Sequence, residues 1–195
     1  MVLILMNYQV ILQMYRIIYI MDFIIDIIDF IGFNSPNILL VINTISLFKQ
    51  KKYLLLYFVF YGVDYLLIGI LKDLIKQPRP SEFLDKKNYD GVDYSKVNPY
   101  GLPSAYYGMP SGHSGLSFYS VMFLWLVNKS TNILILELTI CIMTIYHRLK
   151  YKKHTLEQLI AGALLGCSVA LFAYKIGNRL FAYNSPVLNQ FLKKE

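Results

Sequence analysis

Residues 51–80 read KKYLLLYFVFYGVDYLLIGILKDLIKQPRP, and this stretch decides the fold. Residues 53–75 form a mostly apolar run of the length a helix needs to cross a hydrocarbon core of about 30 Å. Gln50, Lys51 and Lys52 bound the run on one side, and Lys76, Pro78, Arg79 and Pro80 bound it on the other. It reads as a membrane span. Asp64 lies within it, and Glu137 lies within a later span; ionisable groups there are costly and mark a site or a partner in the bundle. For Asp64 the expected partner is a Tyr or a backbone group, although two helical turns separate it from Lys72 on the same side.

Working outward, a second span opens at Gly112-His113 and is stopped by Asn128, Lys129 and Ser130. A third covers residues 133–146 and ends on His147-Arg148. A fourth begins near His154 and continues to Tyr174; its Ala161, Gly162, Ala163 and Gly166 suit close helix approach in lipid. Upstream, residues 2–31 are apolar but interrupted by Arg16, Asp22, Asp26 and Asp29, and residues 38–48 are apolar but short. The three Asp residues share one helical face and read as an interfacial or bundle-facing stripe. The expected fold is all-α, a polytopic transmembrane bundle of six helices. Five is the alternative, should the upstream segments give one span and an interfacial helix.

Composition agrees. The hydrophobic fraction of 56% exceeds the soluble norm of roughly 45–50%, and the charged fraction of 16% falls below the norm of about 25%. The net charge of +7 does not indicate nucleic acid, because the basic residues flank apolar runs and form no stripe. Cys141 and Cys167 fall inside apolar segments and read as buried thiols, with no zinc spacing or disulfide framework. The N-terminus has no basic region and no small-residue cleavage site, which argues against a removed signal peptide.

Between Ser81 and Met109 the character changes. Gly91, Pro99, Gly101, Pro103 and Gly108 break any helix, and a loop of this length without a period is uncommon unless functional. It is expected outside the membrane, over a site. Counting crossings from Lys52, the first span ends at Lys72 and Arg79, the second starts at His113, the third ends at Arg148 and the fourth starts at His154. All these residues then fall on one membrane face.

Their chemistry suits a phosphate ester. Lys72, Arg79 and Arg148 can neutralise equatorial oxygens, the guanidinium groups bidentately and Lys as a point charge; taken singly, Lys76, Arg79 and Arg148 read as ordinary snorkelling flank residues. Pro110-Ser111-Gly112-His113 opens a helix, where unpaired amides and the dipole favour an anion. Gly112 permits close backbone approach and Ser111 offers a hydroxyl. A neutral His can attack phosphorus and a protonated one can serve the leaving group. His147 has no partner at a recognisable spacing and reads as structural.

Lys72 with Arg79-Pro80, Pro-Ser-Gly-His at 110–113, and Arg148 with His154 resemble the three signature motifs of the phosphatidic acid phosphatase type 2 superfamily, over roughly residues 50–178. The resemblance implies a lipid phosphatase working through a phosphohistidine, with no metal or other cofactor. His154 would be the nucleophile and His113 the general acid; Lys72, Arg79, Ser111, Gly112 and Arg148 would bind the phosphate. The length suits a single membrane-embedded domain over 1–195, with apolar helices over 1–50, a catalytic core over 51–178 and a polar tail over 179–195. Its partners would be membrane lipids and a lipid phosphate substrate. It would lie in the endoplasmic reticulum of a eukaryote or the plasma membrane of a bacterium, the site facing the lumen or exterior.

Two positions depart from the family pattern. His147 stands where Ser is usual before Arg148, and Gln158 stands where Asp is usual four residues after His154. A Gln carbonyl can orient the imidazole but adds no charge, so correct orientation with weaker activation is expected; Glu157 is a further candidate for that contact. The Gln looks similar to the dolichyl-diphosphate phosphatase branch and also to the glucose-phosphate phosphatase branch, whose members are longer. Tyr107-Gly108-Met109 and Lys76-Gln77-Pro78-Arg79-Pro80 look similar to the dolichyl branch, although that branch usually has a second Ser at position 112. The expected substrate is a polyprenyl diphosphate, with a phosphatidate-type lipid second. The competing reading is a catalytically inactive lipid-binding member of the same fold.

Overall fold

A helix in lipid satisfies its backbone internally, so its remaining polar groups must find partners inside the bundle. The computed structural model describes the backbone of residues 2–80 and 107–191, and the side chains of residues 12–80 and 107–181. Among the described residues the chain forms five helices: α1 (Val2–Leu47), α2 (Lys51–Ile75), α3 (Gly112–Asn128), α4 (Thr131–Lys150) and α5 (Leu156–Phe191). Six gives way to five because the two upstream segments are parts of one helix. Pro36 lies inside it and removes the amide that would bond the Gly32 carbonyl. Ser35 Oγ donates to that carbonyl instead, at 3.2 Å, and the helix continues. Residues 81–106 of the expected loop lie outside the described residues.

By length and composition, α2, α4 and residues 156–181 of α5 can each cross a membrane. Only 22% of the apolar window of α2 is buried, so most of that helix faces lipid, with Leu55, Phe58, Val59 and Leu66 exposed. Helix α3 is the inner one. Its 17 residues rise about 26 Å, and α1, α2, α4 and α5 pack around it. Ser114, Ser117 and Ser120 therefore sit fully buried, and each finds a partner. Ser114 Oγ donates to the Leu159 carbonyl at 2.6 Å, Ser117 Oγ lies 3.4 Å from Ser35 Oγ, and Ser120 shares a 2.8 Å bond with the Tyr57 hydroxyl.

The α3–α5 contact is set by glycine. A Cβ at Gly166 would stand 2.0 Å from the Gly115 carbonyl oxygen, and one at Gly162 would stand 2.4 Å from that of Ser111. The obstacles are backbone, so neither helix can give way locally. Gly166→Ala should cost at least the roughly 1–3 kcal/mol of an overpacked core. The thermal unfolding midpoint in detergent should fall accordingly, and an unchanged midpoint would contradict this crossing.

Beneath the crossing, Tyr57, Tyr119 and Phe123 form an aromatic cluster, with Tyr57 and Tyr119 stacked at 5.5 Å. The Tyr119 hydroxyl donates to the Tyr57 carbonyl at 2.9 Å. Asn43 on α1 donates to the buried Glu137 carboxylate on α4 at 2.7 Å. Asp64 is fully buried on α2, and among the described residues its carboxylate has no hydrogen-bond partner. Of the three N-terminal Asp residues, Asp22 and Asp26 are exposed while Asp29 is buried. Asp29 accepts from Lys150 Nζ at 2.5 Å and from the Tyr151 hydroxyl at 2.7 Å. That joins α1 to the end of α4, beside the turn in which His147 and Arg148 are buried.

The opposite end of the bundle is closed by Gln50 Nε2 donating to Asn128 Oδ1 at 2.7 Å and by Tyr53 donating to Asn178 at 2.9 Å. The C-terminal end of α2, the N-terminal end of α3, the C-terminal end of α4 and the N-terminal end of α5 thus lie together at the other.

Candidate active site

Helix ends supply the site. Ser111 is the N-cap of α3: its side chain accepts from the Ser114 amide at 3.5 Å, and its own amide donates to the Gln158 carbonyl at 2.9 Å. The amides of Gly112 and His113 stand in the first turn, where a helix has no carbonyl four residues back to receive them. A Cβ at Gly112 would meet only Ile68 Cγ2, at 3.7 Å, so packing does not demand glycine there. Lys72 is buried near the end of α2, with its ammonium donating to the Tyr107 carbonyl at 2.8 Å.

The chain then doubles back. Pro78 pairs with Tyr107 in an isolated antiparallel bridge, and the Gly108 amide donates to the Gln77 carbonyl at 2.8 Å. This brings Arg79 over the start of α5. Its Nη1 donates to the Lys153 carbonyl at 2.9 Å and lies 3.0 Å from His154 Nε2. Lys152 adopts a left-handed conformation at φ 52°, turning Lys153 and His154 inward from the end of α4. Both are buried.

The tautomer of His154 follows from its partners. Gln158 Nε2 donates to the Pro78 carbonyl at 2.9 Å, and a carbonyl can only accept. The Gln158 amide oxygen therefore faces His154 Nδ1, at 3.2 Å. Nδ1 carries the proton, and the lone pair of Nε2 points at Arg79. Burial, reinforced by the charges of Arg79, Lys72 and Arg148, holds His154 well below the ordinary imidazole value of 6.5. It is neutral at pH 7, as an attacking nitrogen must be.

Gln158 does more than orient the ring. With Thr155 it forms a capping box for α5: the Gln158 amide donates to Thr155 Oγ1 at 3.4 Å, and the Thr155 amide donates to Gln158 Oε1 at 3.3 Å. Its Nε2 also lies 3.3 Å from Gln77 Oε1. A Cβ at Gly108 would come within 2.1 Å of Gln158 Oε1, so the amide is sealed in from that side. One residue thereby holds the segments of Gln77-Pro78, Ser111 and His154. Glu157 is exposed and takes no part in these bonds.

His113 has a different holder, one the motifs do not disclose. Its Nε2 lies 3.1 Å from the carbonyl of Phe33 on α1, which fixes that nitrogen as the donor. The Phe33 ring lies 5.8 Å from the Arg148 guanidinium carbon and 5.3 Å from the Lys153 ammonium, within cation–π range. His147 packs 5.9 Å from the same ring and 4.7 Å from Tyr151. A Cβ on Gly32 would stand 2.7 Å from His147 Cβ, so His147 fills the α1–α4 contact. Phe33 and Lys153 carry no sequence signal: one looks like a core aromatic and the other like a flanking cation.

The structure thus brings together Lys72, Arg79, Ser111, Gly112, His113, Arg148, His154 and Gln158 at one end of the bundle. Below Lys72, Gly112 and His113 opens a cavity of about 640 Å³, walled by Pro36, Tyr61, Tyr65, Ile68 and Leu116. Its walls are mostly apolar, and Lys72 is the cation that lines it.

A family model for the PAP2 superfamily matches residues 53–182, more than half of the chain. Comparison with curated proteins and with solved structures finds no match. The matched segment starts after α1, so Phe33 lies outside it.

Proposed function

The chain belongs to the PAP2 superfamily, and on that premise we propose that it hydrolyses the terminal phosphate of a membrane lipid, with a polyprenyl diphosphate as the preferred substrate. The observation that carries this reading is the His154 ring, neutral, held through Nδ1 by Gln158 and presenting Nε2 beside Arg79. The mostly apolar cavity that opens beside Lys72 and His113 supports a substrate with a phosphate at one end and a hydrocarbon chain at the other.

In the first step His154 Nε2 attacks phosphorus. The nitrogen–phosphorus bond forms, the bond to the leaving oxygen breaks, and His113, as the imidazolium, gives that oxygen its Nδ1 proton while its Nε2–H stays on the Phe33 carbonyl. Lys72, Arg79, Arg148 and the first amides of α3 bind the oxygens that carry charge in the transition state. Arg79 leaves the Nε2 lone pair and turns to the phosphate as the substrate arrives. In the second step water attacks the phosphohistidine, His113 takes its proton, and phosphate leaves. The membrane of residence is proposed as endoplasmic reticulum or plasma membrane, according to the cell.

Purified protein in detergent, with a chelator present, should release phosphate from polyprenyl diphosphates and be inhibited by vanadate. Binding of these lipids without phosphate release from any lipid phosphate would overturn the enzyme reading in favour of an inactive lipid-binding member.

A further inference from the structure

The cations of the site are not arranged symmetrically. Arg79 lies against His154, and Lys72 and Arg148 also act on that ring electrostatically. On the other side, Lys153 and Arg148 stand over the Phe33 ring, whose own carbonyl holds His113, and both act on the His113 ring. Arg148 is common to both groups. Lys153 is the additional cation on the side of the proton donor, which is the side from which the leaving group departs.

Its placement is built. The Lys153 amide donates to the Arg148 carbonyl at 3.0 Å, and its carbonyl accepts from Arg79. With only 2% of its surface exposed, it is not a solvated flank residue. An ammonium held this far from solvent attracts an arriving anion more strongly than an exposed one does.

An alcohol leaving group needs a proton and little else. A phosphoryl leaving group carries its own negative charge away from the reacting phosphorus. We infer that Lys153 binds the second phosphoryl group of a diphosphate substrate and so sets a preference for diphosphates over monophosphates. This rests on the phosphatase reading above. His154 forms its bond to the terminal phosphorus, the bridging oxygen takes the electron pair of the broken bond and the proton of His113, and the lipid monophosphate product remains against Lys153 until it departs.

The test compares kcat/KM for farnesyl diphosphate and farnesyl monophosphate in the full-length protein and in Lys153→Gln and Lys153→Arg. Lys153→Gln should lower the diphosphate-to-monophosphate ratio by about tenfold or more, the worth of one charge-assisted hydrogen bond. Lys153→Arg should restore most of it. An unchanged ratio in Lys153→Gln, whether activity is kept or lost equally on both compounds, would overturn the inference while leaving the phosphatase reading in place. Wild-type protein that releases phosphate from neither compound would overturn both.

Discussion

His154→Ala is expected to lower kcat/KM by about 10⁴-fold or more, in the range seen when a catalytic nucleophile is removed from an intact site. The bundle should survive, because the bonds that close the start of α5 run through Thr155, Gln158 and Ser111 and do not depend on the imidazole. Substrate should still bind, since Lys72, Arg79, Arg148 and the α3 amides remain. What disappears is the nitrogen that attacks phosphorus. Turnover by His154→Ala within tenfold of the wild type would remove this residue from the mechanism.

Gln158→Ala should do smaller but still large damage, by two routes. Without its amide the His154 ring loses the acceptor at Nδ1, and a loss of about 10²-fold is expected from misplacement alone. The capping box of α5 is lost as well, at about 0.5–2 kcal/mol, and the Pro78 carbonyl loses its donor. Gln158→Asp, which installs the residue usual in the family, should not restore activity. A carboxylate can accept from His154, but it has no hydrogen to offer Pro78, and its shorter side chain falls back from the bridge at Pro78–Tyr107. Equal stability and higher kcat in Gln158→Asp would show that the Gln is a handicap here and not a fitted part.

The reach of the sequence differs between these residues for physical reasons. The apolar runs fix where the chain crosses, and alternating crossings bring Lys72, His113, Arg148 and His154 to one end, so most of the site is legible without coordinates. Gln158 is legible as the partner of His154, but its capping of α5 with Thr155 emerges only from the fold. The continuity of α1 is not legible, because Pro36 normally breaks a helix, and Ser35 supplies the missing bond through its side chain. Phe33 is hidden for another reason: it serves His113 through a backbone carbonyl, which any residue possesses. Lys153 is hidden by its neighbours, Lys150 and Lys152, which give a run of cations the appearance of a membrane flank. Asp29 looks like Asp22 and Asp26 until α4 is placed beside it.

The central claim is that His154 Nε2 becomes bonded to phosphorus during turnover. Rapid acid-free quenching of the enzyme with substrate labelled in the terminal phosphate, followed by peptide mapping, tests it directly. The account predicts label on His154, stable to alkali and lost in acid, and none in His154→Ala. Steady turnover by the wild type with no label on His154, or with the label on another residue, would contradict it.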